Sequence, residues 1–213
     1  MGGVRALLSA YGLSEIVAST ENFLVILDVA PITAGHALVI PRLHEHSLSI
    51  LWRDLSEKLE QVVSAVVTTL NNETGKAAII CEHGLGSEAK GHAGCVEHAH
   101  LHIIPFDYPL LSAFSHAGIN FTQTDNLLDI TKIPPTQQYL YLRDTDGLQY
   151  LAVQEKFPSQ LVRRLVATQL GELYWSWRDY LDFSDKIGTK QRIIEGMKLF
   201  AHLNQNPVFM DDL

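Results

Sequence analysis

Residues 97–105 of the chain read Glu97-His98-Ala99-His100-Leu101-His102-Ile103-Ile104-Pro105. Histidine alternates here with small or apolar residues, and successive side chains of a β-strand point to opposite faces of the sheet. We therefore expect a strand from Val96 to Ile104, with the imidazoles on one face and Ala99, Leu101 and Ile103 in the core. Two chemistries suit such a row. One is zinc ligation, and the other is attack by one imidazole on a phosphorus atom whose oxygens the other imidazoles hold.

Length and composition bound the class of protein. The chain has 213 residues, 46% of them hydrophobic and 19% charged, which predicts one large domain or a compact domain with an extension. Its 16 basic and 24 acidic residues give a net charge of −8. Because no run of basic residues offsets this charge, we expect no binding to duplex nucleic acid.

The apolar runs and the cysteines indicate the compartment. The longest apolar runs, Phe23–Leu27 and Ala77–Cys81, are far too short to span a bilayer, so we expect no membrane partner. The first five residues lack the features of a signal peptide. The two cysteines, Cys81 and Cys95, cannot make a disulfide framework. These features predict a cytoplasmic protein.

The part of the chain before Pro105 is predicted to alternate strands with one helix. Two apolar runs, Phe23–Val29 and His36–Ile40, are separated by a short turn and predict an antiparallel hairpin. Helical spacing of apolar residues predicts a helix from about Trp52 to Asn71. A further strand is expected at Ala77–Cys81, and the glycine- and histidine-rich stretch from Glu82 to Gly94 is expected to be a loop.

After Pro105 the pattern changes. Asp107 to Gln123 is expected to be irregular. The runs Tyr139–Leu142 and Tyr150–Val153, joined by a turn, predict a second hairpin. Apolar residues at helical spacing then predict two helices, one over Leu161 to Leu173 and one over Ile193 to Ala201.

Two blocks of the sequence resemble the histidine triad, or HIT, superfamily of nucleotide hydrolases and transferases. The first block is the alternating motif that runs from His98 to Ile104. The second runs from Leu27 to His44 and is similar to the family's nucleotide-binding hairpin. The resemblance covers roughly residues 20–105. It implies an α+β fold with a HIT-like antiparallel sheet and helices, to which a C-terminal hairpin and helix pair are added. We therefore divide the chain into a catalytic core, residues 1–110, and an extension packed on it, residues 111–213.

The resemblance also implies roles for individual residues. His100 matches the family nucleophile, which forms a nucleotidyl-histidine intermediate at the α-phosphorus. A backbone carbonyl that takes its Nδ1 proton would leave Nε2 free to attack. His98 matches the residue that orients the nucleophile, and His102 and His36 match histidines that contact phosphate. Asp28 matches the position that binds the ribose hydroxyls.

Three further positions correspond to nucleotide contacts but depart from the pattern of the small HIT enzymes. Glu82 replaces an Asn or Gln near the end of the strand before the motif. Gly94 replaces a Gln four residues before the first triad histidine, and Cys95 stands where a small hydroxyl residue is frequent. These departures bear on the contacts to the leaving group.

The resemblance favours a hydrolase that cleaves at the α-phosphorus of a nucleoside phosphate derivative, such as the phosphoanhydride of a dinucleoside polyphosphate or a nucleoside phosphoramidate. A dinucleoside-polyphosphate phosphorylase or a nucleotidyltransferase is the alternative within enzymes. A non-catalytic nucleotide- or RNA-binding module is the alternative of another class. Since family members often dimerise, a homodimer is a further expectation.

No cofactor is required for attack by imidazole, although Mg²⁺ can accompany the substrate phosphates. Zinc is the competing hypothesis, since Cys81, His83, Cys95 and His98 are all possible ligands. Their spacing matches no recognised zinc motif, so we expect no bound metal.

In the extension, Gln160, Arg163 and Arg164 stand at the start of a predicted helix. Two interpretations stay open for them: contact with phosphate, or a solvated helix face. Trp175 and Trp177 are interpreted as core residues.

Overall fold

The structure, a computed structural model, describes residues 16–51, 53–85, 98–177 and 188–210. The strands of these segments are β1 (Ile16–Ser19), β2 (Phe23–Leu27), β3 (Ala37–Pro41), β4 (Ala78–Gly84), β5 (Leu101–Pro105), β6 (Thr122–Thr124), β7 (Gln138–Arg143) and β8 (Gln149–Gln154). The helices are α1 (Arg53–Thr74), α2 (Leu111–His116), α3 (Leu161–Gln169) and α4 (Thr189–Leu199). Short 3₁₀ turns lie at Leu48–Ile50, Leu127–Lys132, Leu203–Gln205 and Pro207–Phe209.

The described strands form one antiparallel sheet in the order β1-β2-β3-β5-β4-β7-β8-β6. The predicted α+β class with an antiparallel sheet is therefore confirmed. The hairpin of β2 and β3 and the hairpin of β7 and β8 are present as predicted. The second hairpin belongs to the predicted extension, yet β7 pairs with β4 of the core. The sheet thus continues across the predicted boundary at residue 110.

Helices cover both faces of the sheet. Leu59, Val63 and Val66 of α1 pack on one face together with the C-terminal 3₁₀ turns. On the opposite face, α2 and α3 pack through Phe114 and Val166. The long helix α1 was predicted correctly, and it ends before Gly75, whose φ of 68° breaks the helical backbone. No helix in the described segments is both long and apolar enough to cross a membrane.

Three secondary-structure predictions were wrong in part. Residues 82–84 belong to β4 rather than to a loop, because they pair with residues 139–141 of β7. The regular part of β5 begins only at Leu101, later than predicted. The stretch from residue 107 to 123 contains α2 and β6. Helix α2 begins where the carboxylate of Asp144 accepts hydrogen bonds from the backbone N–H groups of Leu110 and Leu111.

The first of the two predicted C-terminal helices is also shorter than expected. Helix α3 ends at Gln169, and Gly171 with a φ of 71° lies just beyond its end. Leu173 is consequently outside the helix and is exposed rather than part of its apolar stripe.

Gly84 is the position at which the junction between core and extension leaves no room for a side chain. A Cβ atom at this position would lie 2.1 Å from Cε1 of Tyr139, its partner across the sheet. We expect Gly84→Ala to lower the free energy of unfolding by about 1–3 kcal/mol, because the buried tyrosine ring must shift. Urea denaturation measures the change. A Gly84→Ala protein as stable as wild type would contradict this tight packing.

Candidate active site

The register of the sheet determines which side chains share a face. His102 is paired with Leu38 on β3 and with Cys81 on β4. Directly opposed residues of an antiparallel pair lie on the same face, so these side chains point toward the face that α3 covers. Ala99, Leu101 and Ile103 are buried in the core on the other face. The predicted alternation of imidazole and core residues is therefore present, although His98 and His100 precede the regular part of β5.

The imidazoles face a cavity of about 190 Å³ between the sheet and the start of α3. Strand residues form its floor, and the extension forms the facing wall. The residues that line it are Ile26, Asp28, Val29, Leu38, Ile40, His46, His83, Leu85, His98, Ala99, His100, His102, Leu140, Gln160, Leu161, Val162, Arg163 and Trp177. The lining is mainly apolar, and the polar groups are concentrated around the histidines. This combination is typical of small-molecule sites.

The hydrogen bonds of His100 define its reactive nitrogen. Nδ1 lies 2.8 Å from the backbone carbonyl of His98, and a carbonyl can only accept. Nδ1 must therefore carry the proton, which leaves the lone pair of Nε2 unprotonated. His98 is held in turn by a bond of 2.7 Å from its Nε2 to the carbonyl of Pro41. The backbone acceptor expected from the sequence is present, and it belongs to His98.

His36 and His102 form a hydrogen-bonded pair beside His100. The Nε2 atom of His36 lies 2.9 Å from Nδ1 of His102, and the rings of His100 and His102 are 4.8 Å apart. The backbone N–H of Ile32 donates to Nδ1 of His36 at 3.4 Å. His36 therefore carries its proton on Nε2 and donates it to His102, whose own proton must then be on Nε2.

Asp28 is buried behind this pair. Its Oδ2 atom lies 3.4 Å from Nε2 of His36, and its Oδ1 atom accepts from the backbone N–H of Ala30 at 2.8 Å. Arg163 of α3 donates to Oδ2 at 2.8 Å. Two of the approximately four lone-pair positions of the carboxylate thus accept hydrogen bonds from Ala30 and Arg163, since the proton on His36 Nε2 is donated to His102. The ribose contact expected from the sequence stays a prediction.

The charges at the site are set by burial and by Arg163. Burial alone would raise the pKa of Asp28, but the Arg163 guanidinium and the neighbouring imidazoles hold that pKa well below its ordinary value. Burial lowers the pKa of His36 to about 4. Burial likewise lowers the pKa of His100 and, more strongly, that of His102. At neutral pH the site therefore contains one carboxylate, one guanidinium and neutral imidazoles.

Glu82, predicted as a nucleotide contact, does not reach the cavity. It is the neighbour of Cys81 on β4 and thus points to the opposite face of the sheet. There it is buried, and it accepts hydrogen bonds from Tyr139 Oη and from the backbone N–H of Leu48. Gly94 and Cys95, the other two such predictions, lie outside the described residues.

The cavity also contains residues whose place was not predicted. His83 was assigned to a loop, but as part of β4 it lies on the same face as His102 and packs against Phe157. Trp177, interpreted as a core residue, lines the cavity, and its backbone N–H donates to Oε1 of Gln160. Two interpretations were left open for the start of the predicted helix, contact with phosphate or a solvated face. Arg164 lies on the exposed face, whereas Gln160 and Arg163 line the cavity. The alternation Cys81-Glu82-His83 is the one sequence signal that places His83 on this face.

Asp28, His36 and His102 are close enough together to be considered as metal ligands, with donor atoms within 4.8 Å of one another. The nitrogens of the two histidines are separated by a hydrogen-bond distance of 2.9 Å. Two ligands of one tetrahedral zinc ion would be about 3.3 Å apart, given Zn–N bonds of 2.0–2.1 Å. The guanidinium of Arg163 on the same carboxylate further disfavours a second cation there. These three residues therefore fit a hydrogen-bonded cluster better than a metal site.

Comparison with known proteins agrees with this geometry. The model of the HIT domain matches residues 13–108. An uncharacterized HIT-like protein of Borreliella burgdorferi is 31% identical over 120 residues, which are 54% of this chain and 78% of that protein. The chain belongs to the HIT family. The protein named hit of Bacillus subtilis is 28% identical over 92 residues, or 43% of this chain, and the match spans 61% of that relative's length.

Solved structures of HIT proteins are also similar to the chain. A hypothetical histidine triad nucleotide-binding protein from Sulfolobus tokodaii has 27% identity and a TM-score of 0.37, and the match covers 47% of this chain and 66% of that one. A zinc-bound histidine triad family protein from Mycobacterium smegmatis has 28% identity and a TM-score of 0.37, with 47% and 70% covered. The HIT domain match ends at residue 108, so α3 and Trp177 lie beyond it.

Burial of Glu82 beneath the HIT sheet predicts an unusual dependence of stability on pH. Burial raises the pKa of Glu82 to about 7, against the hydrogen bonds of Tyr139 and Leu48. Between pH 4.5, the ordinary pKa of a glutamate, and about pH 7, the folded protein keeps a proton that the unfolded chain releases, so rising pH destabilises the fold. Glutamine has no such proton. The free energy of unfolding of Glu82→Gln relative to wild type should therefore rise by about 3 kcal/mol from pH 4.5 to 7.5.

Urea denaturation at a series of pH values measures this difference. If the amide of the Glu82→Gln variant changes the hydrogen bonds, the free energy of unfolding shifts by the same amount at every pH. Glu57→Gln, at an exposed position of α1, is the control for the loss of one negative charge. A Glu82→Gln difference that does not vary with pH would show that the carboxyl group is ionised in the fold throughout this range.

Proposed function

We propose that the protein is a nucleotide hydrolase that cleaves at the α-phosphorus of a nucleoside phosphate derivative through a nucleotidyl-histidine intermediate on His100. One observation carries the proposal: the carbonyl of His98 fixes the proton of His100 on Nδ1 and so leaves Nε2 as a nucleophile at the cavity. The lowered pKa of His100 supports it, since burial favours the neutral imidazole that attack requires.

The proposed reaction has two steps. Nε2 of His100 forms a bond to the α-phosphorus, and the bond from phosphorus to the leaving group breaks with its electron pair on the leaving group. The imidazole then carries a positive charge, which the carbonyl of His98 stabilises through the Nδ1–H bond. In the second step a water oxygen attacks phosphorus, the P–N bond breaks, and its electron pair returns to Nε2. The proton that the attacking water loses passes to bulk water.

Neighbouring groups suit the charge that develops on the phosphate oxygens. The Nε2–H group of His102 is a donor that its bond with His36 leaves free for a ligand. The apolar part of the cavity, with Ile26, Leu38 and Ile40 on the sheet and Trp177 opposite, suits a nucleobase. Imidazole attack needs no resident metal, and Mg²⁺ enters only with the phosphates of the substrate.

The acceptor and leaving group are identified by a substrate panel. The protein is incubated with dinucleoside polyphosphates, nucleoside phosphoramidates and adenylyl sulfate, each with and without inorganic phosphate, and the products are identified by mass. A nucleoside monophosphate formed without phosphate supports hydrolysis. A nucleoside diphosphate that forms only with phosphate indicates a phosphorylase, and binding without any product indicates the non-catalytic module.

The nucleophile is tested by His100→Ala. We expect kcat to fall by more than about 10³-fold, because loss of the covalent route exceeds the effect of losing one charge-stabilising donor. Wild type quenched during turnover should carry one nucleotidyl group on His100, detected by mass spectrometry, and the variant should carry none. His116→Ala, at an exposed position of α2, is the control. Wild-type turnover by His100→Ala would refute the mechanism.

The pH profile tests the protonation state. Since burial lowers the pKa of His100 below its ordinary value of 6.5, the midpoint of the acid limb of kcat/KM should lie below pH 6.5. Stopped assays in a buffer series of constant ionic strength measure it. A decline that begins above pH 7 would mean that the attacking group is not a buried neutral imidazole.

A further inference from the structure

The side chain of Arg163 joins α3 to two other segments of the described chain, the stretch after β2 and the stretch that contains Trp175. Its Nη1 donates to Asp28 Oδ2 at 2.8 Å, its Nη2 to the carbonyl of Ala30 at 2.5 Å, and its Nε to the carbonyl of Trp175 at 3.0 Å. The side chain is 5% exposed. A planar guanidinium can make these bonds at once, whereas an ammonium group has a single nitrogen.

The partner of Arg163 in turn faces the triad. Asp28 Oδ2, which receives the guanidinium, also lies 3.4 Å from Nε2 of His36 and 3.9 Å from Nδ1 of His102. The carboxylate thus stands between one permanent cation and two imidazoles. A carboxylate without that cation would favour the protonated form of each imidazole, because opposite charges at this distance attract.

The state of these imidazoles determines which hydrogen bonds they can make. Neutral His36 accepts from the N–H of Ile32 through Nδ1 and donates to His102 through Nε2. An imidazolium donates through both nitrogens, so protonated His36 would lose the bond from Ile32. Protonation of His102 would remove the acceptor that receives the proton of His36. The hydrogen bonds observed at His36 and His102 therefore require that a cation balances the charge of the Asp28 carboxylate.

We infer that Arg163 is a positioning residue of the reaction proposed above, because it neutralises Asp28 and so keeps His36 and His102 neutral, each in a single tautomer, beside the nucleophile. The inference rests on the proposed function for its catalytic consequence but not for its structural part. On this assignment the main role of Asp28 is to interact with the imidazoles of His36 and His102, and not to bind a ribose. Arg163 belongs to the extension, so a residue beyond the HIT domain match determines the state of residues within it.

The electrostatics of the surroundings support the inference. Burial, His100 and His36 lower the pKa of His102, Asp28 raises it, and Arg163 lowers it again. The same carboxylate and guanidinium act in opposite directions on His36. A second charged pair lies near the stretch after β2, where Arg192 of α4 contacts the carbonyl of Pro31 and is paired with Glu172.

The test is titration of the histidine ring nitrogens by ¹⁵N NMR in the substrate-free full chain, combined with the pH profile of kcat/KM. In Arg163→Met we expect the protonation midpoints of His36 and His102 to rise by about one pH unit. The acid limb of kcat/KM should move in the same direction. Arg164→Met, on the exposed face of the same helix, is the matched control and should titrate as wild type.

Arg163→Met leaves a buried carboxylate without its cation, which is strongly destabilising. Arg163→Lys is therefore measured beside it. Lysine retains the charge and loses two of the three bonds, so the midpoints should stay within about 0.3 pH unit of wild type, while kcat falls about tenfold through misplacement and KM changes little. A folded Arg163→Met protein with wild-type midpoints would overturn the inference, as would a Lys variant whose midpoints rise by a full unit.

These readouts separate the inference from the proposed function. The NMR titration needs no turnover, so absence of product from every substrate refutes the hydrolase and leaves the role of Arg163 to be decided by the midpoints alone. Conversely, a nucleotidyl group on His100 together with unchanged midpoints in Arg163→Met supports nucleophilic attack by His100 and removes Arg163 from its mechanism.

Discussion

A single buried negative charge constrains the whole site. Asp28 follows β2, and with 4% of its surface exposed it has almost no water to solvate its carboxylate. An ionised carboxylate in such a position is costly unless it is paired and hydrogen-bonded. The N–H of Ala30 supplies one local partner, and Arg163, 135 positions along the chain, supplies the cation. The position of α3 on the sheet follows from this requirement.

The two-residue period of the strands explains the remaining geometry. On β4, Cys81 and His83 face the cavity while Glu82 faces the opposite core, where Tyr139 and Leu48 bond it. Before and along β5 the same alternation gives Leu101 and Ile103 to the core and the imidazoles to the cavity. A shift of one residue in either strand would exchange these sets. The apolar packing therefore fixes which face of the sheet carries the imidazoles.

Local patterns were enough to predict most elements of the fold. Both hairpins and helix α1 have short-range signals, namely alternating apolar residues, turns and helical spacing. The errors occur where a distant residue decides the local structure. Residues 82–84 are a strand only because β7 pairs with them, and α2 begins at hydrogen bonds from Leu110 and Leu111 to the side chain of Asp144. No pattern within residues 107–123 contains that information.

The residues of the candidate site also fall into two groups, those that local patterns predict and those that a distant contact determines. The histidine motif and Asp28 can be recognised because strand spacing and a family resemblance place them together. Arg163 could be assigned to phosphate or to solvent, and neither interpretation included its pairing with Asp28, because that contact depends on how α3 docks. Trp177 was interpreted as core for a related reason: a buried aromatic and a cavity wall have the same sequence signal.

The pairing of Arg163 also determines how the extension behaves when a ligand enters. Withdrawal of α3 would separate a buried ion pair and would also expose Leu161, Val162 and Val166, which pack on the sheet. The wall formed by Gln160, Arg163 and Trp177 is consequently a fixed part of the site rather than a lid. On the proposed function, selection among substrates depends on their fit to the cavity, a third of whose lining residues lie outside the HIT domain match.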